Sequence, residues 1–218
     1  MSRMSERRRL LFGLFEFPQE PTSYSLIGTY TSTQEWAAPE DGWFQIEVYG
    51  ASGNGGEATL NTSFVYGAGS GGGGGGGAYA CSHVQMKKGD TVIIGGSLAV
   101  GGTATVEIKS SKASYDIMKA VSGEAGGVYT LLSDDDAAGG AGGKASGGTY
   151  SNVPGNPGYD GEKGMQSQQL YQGGTGGTPG VPGGNTGGKG ADVGYGEEGS
   201  PGSGSAAFVK IYRGEFNK

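Results

Sequence analysis

From residue 24 onward the chain is written in short stretches where apolar and polar side chains alternate, the period-two pattern of half-buried β-strands. The clearest is Trp43-Phe44-Gln45-Ile46-Glu47-Val48-Tyr49, with Phe44, Ile46 and Val48 on one face and Gln45 and Glu47 on the other. Thr103-Ala104-Thr105-Val106-Glu107-Ile108-Lys109 alternates as cleanly. Runs at 24–30, 34–36, 78–86, 91–94, 115–118, 128–132 and 206–212 predict further strands. Turn chemistry separates them: Ala38-Pro39-Glu40-Asp41-Gly42 precedes the 43–49 strand, and Lys87-Lys88-Gly89-Asp90 joins two more. Roughly eight short strands divided by turns predict an all-β fold, an antiparallel jelly-roll-like sandwich.

The last strand constrains topology most. Ala207, Val209 and Ile211 need a core to face, yet some 70 residues of glycine-rich sequence precede them. The 206–212 strand is therefore expected to pair back with earlier strands. The region 123–204 then becomes an excursion out of the sandwich and back, with both ends anchored.

Fifty of the 218 residues are glycine, against roughly 7% in an ordinary chain. Glycine gives up the most backbone freedom on folding and brings no side-chain area to offset the loss. The blocks at 50–56, 67–77, 123–127, 139–148, 155–164, 173–190 and 194–204 cannot build a conventional core. Several repeat every three residues: Gly155, Gly158, Gly161 and Gly164, then Gly177, Gly180 and Gly183, then Gly184, Gly187 and Gly190 after a one-residue slip. Three residues per turn is the polyproline II period, which puts every third residue on one edge where glycine lets backbones approach. A collagen triple helix would need a longer unbroken register, and a flexible linker would not need anchored ends. The expected form is a bundle of polyglycine II helices, each about ten residues and roughly 30 Å long, joined by lateral backbone hydrogen bonds.

Residues 1–22 stand apart. Arg7-Arg8-Arg9 leads into Leu10-Leu11-Phe12-Gly13-Leu14-Phe15, and Pro18 and Pro21 then break the run. The apolar stretch is too short for a signal-peptide core, and no small-residue cleavage site follows it. An extended docking arm is expected, with Arg7, Arg8, Arg9, Leu11, Phe12, Leu14, Phe15 and Phe17 meeting a partner. Residues 23–218 form the domain proper. The net charge of −6 argues against nucleic acid as the main partner. No stretch approaches the ~20 apolar residues of a membrane helix. A single cysteine, Cys81, rules out an internal disulfide framework.

Chemistry is sparse. Cys81 and His83 share one strand face, but two ligands do not complete a zinc site, and a catalytic pair must converge from separate elements. Asp134-Asp135-Asp136 lacks the spacing and terminal glutamate of a calcium loop. Residues 50–56 resemble a phosphate loop in composition only, without the Gly-Lys-Ser/Thr step. No nucleophile, base and oxyanion set assembles, so neither enzyme activity, a cofactor nor a metal is expected. Tyr150, Tyr159, Tyr171 and Tyr195 lie among the triplet blocks, where an aromatic ring is either packing for the bundle or a rigid, low-entropy contact surface. With Asn152 they are the candidate receptor contacts.

The stretch Glu35-Trp36-Ala37-Ala38-Pro39-Glu40-Asp41-Gly42-Trp43-Phe44-Gln45-Ile46-Glu47-Val48-Tyr49-Gly50-Ala51-Ser52-Gly53 resembles the opening of glycine-rich domains in bacteriophage tail and virion proteins. The turn and strand at 84–95 and the closing strand Gly204-Ser205-Ala206-Ala207-Phe208-Val209-Lys210-Ile211-Tyr212 look like the same plan. The resemblance spans residues 29–213. It implies a virion component, a tail fibre, tail-tip or head-fibre protein exposed on the particle. It further implies other virion proteins as partners through the N-terminal arm, trimeric assembly, and adhesion to a host-surface receptor or glycan. A purely architectural decoration of capsid or tail is the alternative.

Overall fold

The computed structural model describes residues 19–59, 68–129, 136–164, 170–194 and 197–216. Among them there is no helix, and the chain is all-β. In chain order the strands are β1 Ser23–Tyr30, β2 Gln34–Ala37, β3 Gly42–Tyr49, β4 Ala68–Gly69, β5 Tyr79–Met86, β6 Thr91–Gly96 and β7 Ala104–Lys109. There follow β8 Met118–Ala120, β9 Ala145–Ser146, β10 Ser151–Val153, β11 Lys163–Gly164, β12 Val193–Gly194, β13 Glu197–Glu198 and β14 Phe208–Glu215. Two five-stranded antiparallel sheets make a sandwich, ordered β1-β14-β3-β5-β10 and β2-β6-β7-β8-β9.

Alternation decides which side chains fill the space between the sheets. Phe44, Ile46 and Val48 from β3, Val84 and Met86 from β5, and Val209 and Ile211 from β14 face Val92, Ile94, Val106 and Met118 from the second sheet, all at most 1% exposed. The closing strand does return: β14 lies between β1 and β3, with Val209 opposite Val48 and Ile211 opposite Ile46. The strand expected at 115–118 begins instead at Met118. There Met118 and Ala120 take the inward positions, while Ile117 points out at 59% exposure. Of the strand expected at 128–132, Val128 and Tyr129 are outside any strand, and residues 130–132 lie outside the described residues.

The glycine blocks are ordered by a different rule. In segment 71–77, consecutive N–H groups point to three different neighbours, and the direction recurs every third residue. Gly71, Gly74 and Gly77 donate to Ala191, Gly188 and Asn185; Gly72 and Gly75 to Gly127 and Glu124; Gly73 and Gly76 to Tyr159 and Asn156. The carbonyls follow suit. Gly71 and Gly74 accept from Gly174 and Gly177, Gly72 and Gly75 from Gly56 and Gly53, and Gly73 and Gly76 from Gly140 and Gly143, all at 2.8–3.0 Å. One extended segment is thus surrounded by six.

The six also bond to one another in a closed cycle. Segment 121–127 donates to 51–54 and to 138–144, segment 155–162 donates to 137–143 and to 172–178, and segment 187–193 donates to 171–177 and to 53–56. An eighth segment, 199–205, seals the 52–55 and 189–192 side through Gly55 to Gly202, Ser52 to Ser205 and Gly202 to Lys189. Backbone groups that an isolated extended chain would leave to water are satisfied laterally.

Glycine content tracks position in this array. A Cβ on Gly74 would stand closer than 3.0 Å to backbone atoms of Gly53 and Asn54, and every glycine of 71–77 meets backbone in this way. In 139–143 two positions of three are glycine: Gly140 and Gly143 lie against the 121–125 stretch, Gly139 and Gly142 against 155–159. In 155–161 only Gly155, Gly158 and Gly161 are required, facing the central segment. None of Gly71 to Gly77 has a left-handed φ, unlike the turn glycines Gly89 and Gly183 with φ of 88° and 78°. The blocks need glycine for close approach, not for backbone freedom.

Candidate binding surfaces

The face of the first sheet turned away from the sandwich core carries a polar and aromatic network. Pairing of β3 with β5 sets Gln45 opposite His83, Glu47 opposite Cys81 and Tyr49 opposite Tyr79, while β14 brings Tyr212 beside Gln45. Glu47 is buried at 7% exposure. Its Oε1 accepts from Tyr79 Oη at 3.0 Å and Gln45 Nε2 at 2.8 Å, and its Oε2 from Tyr49 Oη at 2.9 Å and Tyr212 Oη at 2.8 Å. A buried carboxyl group is tolerable only when so bonded. Burial, then the nearby Glu47 carboxyl group, pushes the phenols of Tyr49 and Tyr212 well above their usual range. Burial, followed by the neighbouring Cys81, does the same to Tyr79. All three stay protonated donors.

The network sets the orientation of His83. With its amide N–H engaged by Glu47, Gln45 turns its oxygen toward His83 Nε2 at 3.1 Å, so Nε2 carries the hydrogen. The ring is flanked by Tyr150, stacked at 4.1 Å between centroids, and by Tyr24 at 4.8 Å. Burial lowers the His83 pKa, against the opposing pull of Glu20 and Glu47. His83 Nδ1 and Tyr24 Oη are both enclosed without a hydrogen-bond partner, and the Glu20 carboxylate stands 4.0 Å from Nδ1. Cys81 is buried and free, its thiol pushed up to about 11 by burial. As expected it shares a face with His83. Among the described residues no group of three or more histidine, cysteine, aspartate or glutamate side chains is placed to hold a metal.

The candidate receptor contacts divide. Tyr150 and Tyr159 are exposed, at 67% and 69%. Asn152 clamps a turn: its Oδ1 accepts from Gly148 N–H at 2.9 Å and its Nδ2 donates to Gly148 O at 2.7 Å. Tyr171 is buried with Ala58, Ala191 and Val193, its backbone bridged to Val193, so it packs the bundle and presents no contact surface. Tyr195 and the docking residues Arg7 to Phe17 lie outside the described residues.

Tyr159 lines a groove of about 490 Å³ on the flank of the bundle, with Asn156, Pro157, Gly158, Asp160 and Thr178. Sequence reading singled out only Tyr159 here. The others become visible once Gly155, Gly158 and Gly161 are known to face inward, because the two residues between each pair must then face out. The Gln45–Glu47 line was legible as the second face of β3, but its burial depends on tyrosines from three strands.

No protein-family model matches the chain, and no curated protein matches its sequence. No helix of the described residues is long and apolar enough to cross a membrane.

Proposed function

We propose that this chain is a virion structural protein of a bacteriophage, a tail-fibre, tail-tip or head-fibre component, in which the sandwich is the base and a polyglycine II bundle projects from it to engage the host surface. The observation that carries the reading is the directional order of the glycine segments. Segments 50–56, 121–127, 155–162 and 185–193 run away from the sandwich strands, and 70–78, 137–144, 171–178 and 199–205 run back: segments of opposite direction bond in antiparallel register and those of the same direction in parallel register. The described residues at which these segments end, among them Thr59, Ala68, Tyr129, Gly164, Gly194 and Glu197, therefore belong to the end opposite the sandwich. In sequence, the stretches between those ends carry larger side chains, among them Phe64, Tyr66, Leu131, Gln166, Gln168 and Tyr195. A bundle of close-packed backbones whose outgoing and returning segments are joined by stretches of varied sequence suits adhesion better than decoration. The period-three lateral bonding supports the polyglycine II form.

In this reading residues 1–22 dock onto the particle and the domain assembles as a trimer, in keeping with the family resemblance. Electron microscopy of intact particles tests the assignment: density for the chain at the exterior of tail or head is expected, with the bundle pointing outward. Particles carrying exchanged 57–69 or 163–170 connections should assemble normally and lose or change host adsorption. Unchanged adsorption after all four exchanges would reduce the role to architecture, and absence of the chain from particles would overturn it.

A further inference from the structure

We infer that the bundle flank between segments 155–162 and 171–178 is a binding site for neutral saccharides, centred on Tyr159. The inference rests on the surface-binding reading above but places a contact on the flank of the bundle, independent of the connecting stretches. The groove combines a flat apolar plate with polar atoms whose directions are already set. Tyr159 is held at its backbone by two segments at once, donating to Thr175 O at 2.9 Å and accepting from Gly73 N–H at 2.8 Å. Only two side-chain torsions remain, so a large ring is offered with little entropy left to lose. Gly158, pressed against Gly73, forces Pro157, Tyr159 and Asp160 to the outside. At 69% exposure the Tyr159 ring is not held by packing against the bundle.

The polar atoms complement hydroxyl groups. Asp160 uses Oδ1 to accept Gly139 N–H at 2.7 Å, which fixes the carboxylate and leaves its other oxygen open to the groove. Asn156 Nδ2 donates to Thr178 Oγ1 at 2.9 Å, leaving the Asn156 oxygen as an acceptor and the Thr178 hydroxyl as a donor. Two acceptors and a donor around an aromatic face match a pyranose, which offers one C–H face for stacking and neighbouring hydroxyls that both give and take hydrogen bonds. Charge selects among sugars. Asp160 is the charged residue among the described residues of the groove, none of which is lysine or arginine, and the chain is acidic at −6. An anionic sugar or a phosphate would be repelled.

The test uses the full chain on an array of neutral hexose and N-acetylhexosamine oligosaccharides beside sialylated and phosphorylated ones. Binding confined to neutral glycans is expected, weakened at least about tenfold by Tyr159→Ala, weakened by Asp160→Asn, retained by Tyr159→Phe and untouched by Ile117→Ala on the sandwich. Thermal melts of each variant separate lost binding from lost fold. A blank array, binding only to anionic glycans, or binding indifferent to Tyr159→Ala overturns the proposal. A blank array with particles that still contain the chain and adsorb to cells sinks the groove alone. Neutral-glycan binding by a chain absent from particles sinks the virion reading alone.

Discussion

Ile46 in the sandwich and Gly74 in the bundle are both buried, for opposite reasons. Ile46 is enclosed because its side chain fills the space between two sheets about 10 Å apart, and its removal from water contributes stability in proportion to its area. Gly74 is enclosed because no side chain keeps its backbone away from those of Gly53, Gly177 and Gly188. In the sandwich, hydrogen bonds run in the plane of each sheet and apolar contacts join the layers. In the bundle, hydrogen bonds run in every lateral direction and stand in for the core. Each such bond contributes only about 0.5–1.5 kcal/mol net, so the array gains cohesion from number and mutual alignment. The lesson is that a position's tolerance depends on which kind of cohesion surrounds it.

Substitutions can break that contrast. The largest effect is expected at the centre: Gly74→Val drives a branched side chain into Gly53 and Asn54 and separates three segments, costing about 4 kcal/mol or more and loosening all seven. Chemical denaturation and loss of exchange protection in 121–127 and 185–193 would register it. In the sandwich, Ile46→Ala should cost about 2–5 kcal/mol, with the damage confined to strand amides. The outward Ala141→Ser, one residue beyond Gly140 in the ring, should stay within about 0.5 kcal/mol. If Gly74→Val were as mild as Ala141→Ser, the crowding account would be wrong.

The network outside the sandwich sharpens the comparison, since it is a core made of polar groups. Glu47→Ala strands three tyrosine hydroxyls and is expected to cost about 1–3 kcal/mol. Tyrosine absorbance titration should also show fewer phenols resisting ionisation above pH 10 in that variant. A smaller, pH-dependent effect belongs to His83. Its pKa is depressed in the folded state, so the unfolded chain binds the proton more readily. The associated stability is present above about pH 6.5, the unfolded value, and is lost as the pH falls toward the folded value. Melting curves between pH 7.5 and 5 should show that decline, and His83→Gln should flatten it.

Much of the sandwich was legible because alternation is a local signal. The faces of β3 and β7 follow from period two alone, and the return of β14 follows from three apolar residues that needed a core. β8 was misjudged by a few residues because Ile117 looks inward by hydropathy while Met118 and Ala120 hold the inward register. The bundle was legible as a period but not as an arrangement. Which segment is central depends on contacts far apart in sequence, although the signal was there: seven consecutive glycines, Gly71 to Gly77, leave no turn position for a side chain, whereas 155–161 carries glycine at one position in three. Tyr171 illustrates the remaining difficulty. Its neighbours resemble those of Tyr159, yet a cluster with Ala58 and Val193 encloses it. The Tyr159 groove needed the inward direction of Gly158 before Asn156 and Asp160 took on meaning.

The central claim is that a glycine segment without side chains is the most enclosed part of the bundle. Amide hydrogen exchange resolved at Gly71 to Gly77 tests it most directly. Protection comparable to that of the β3 amides, and greater than that of the outward-facing residues 138 and 141, is the expected result. Exchange at the rate of an unstructured glycine chain would contradict it.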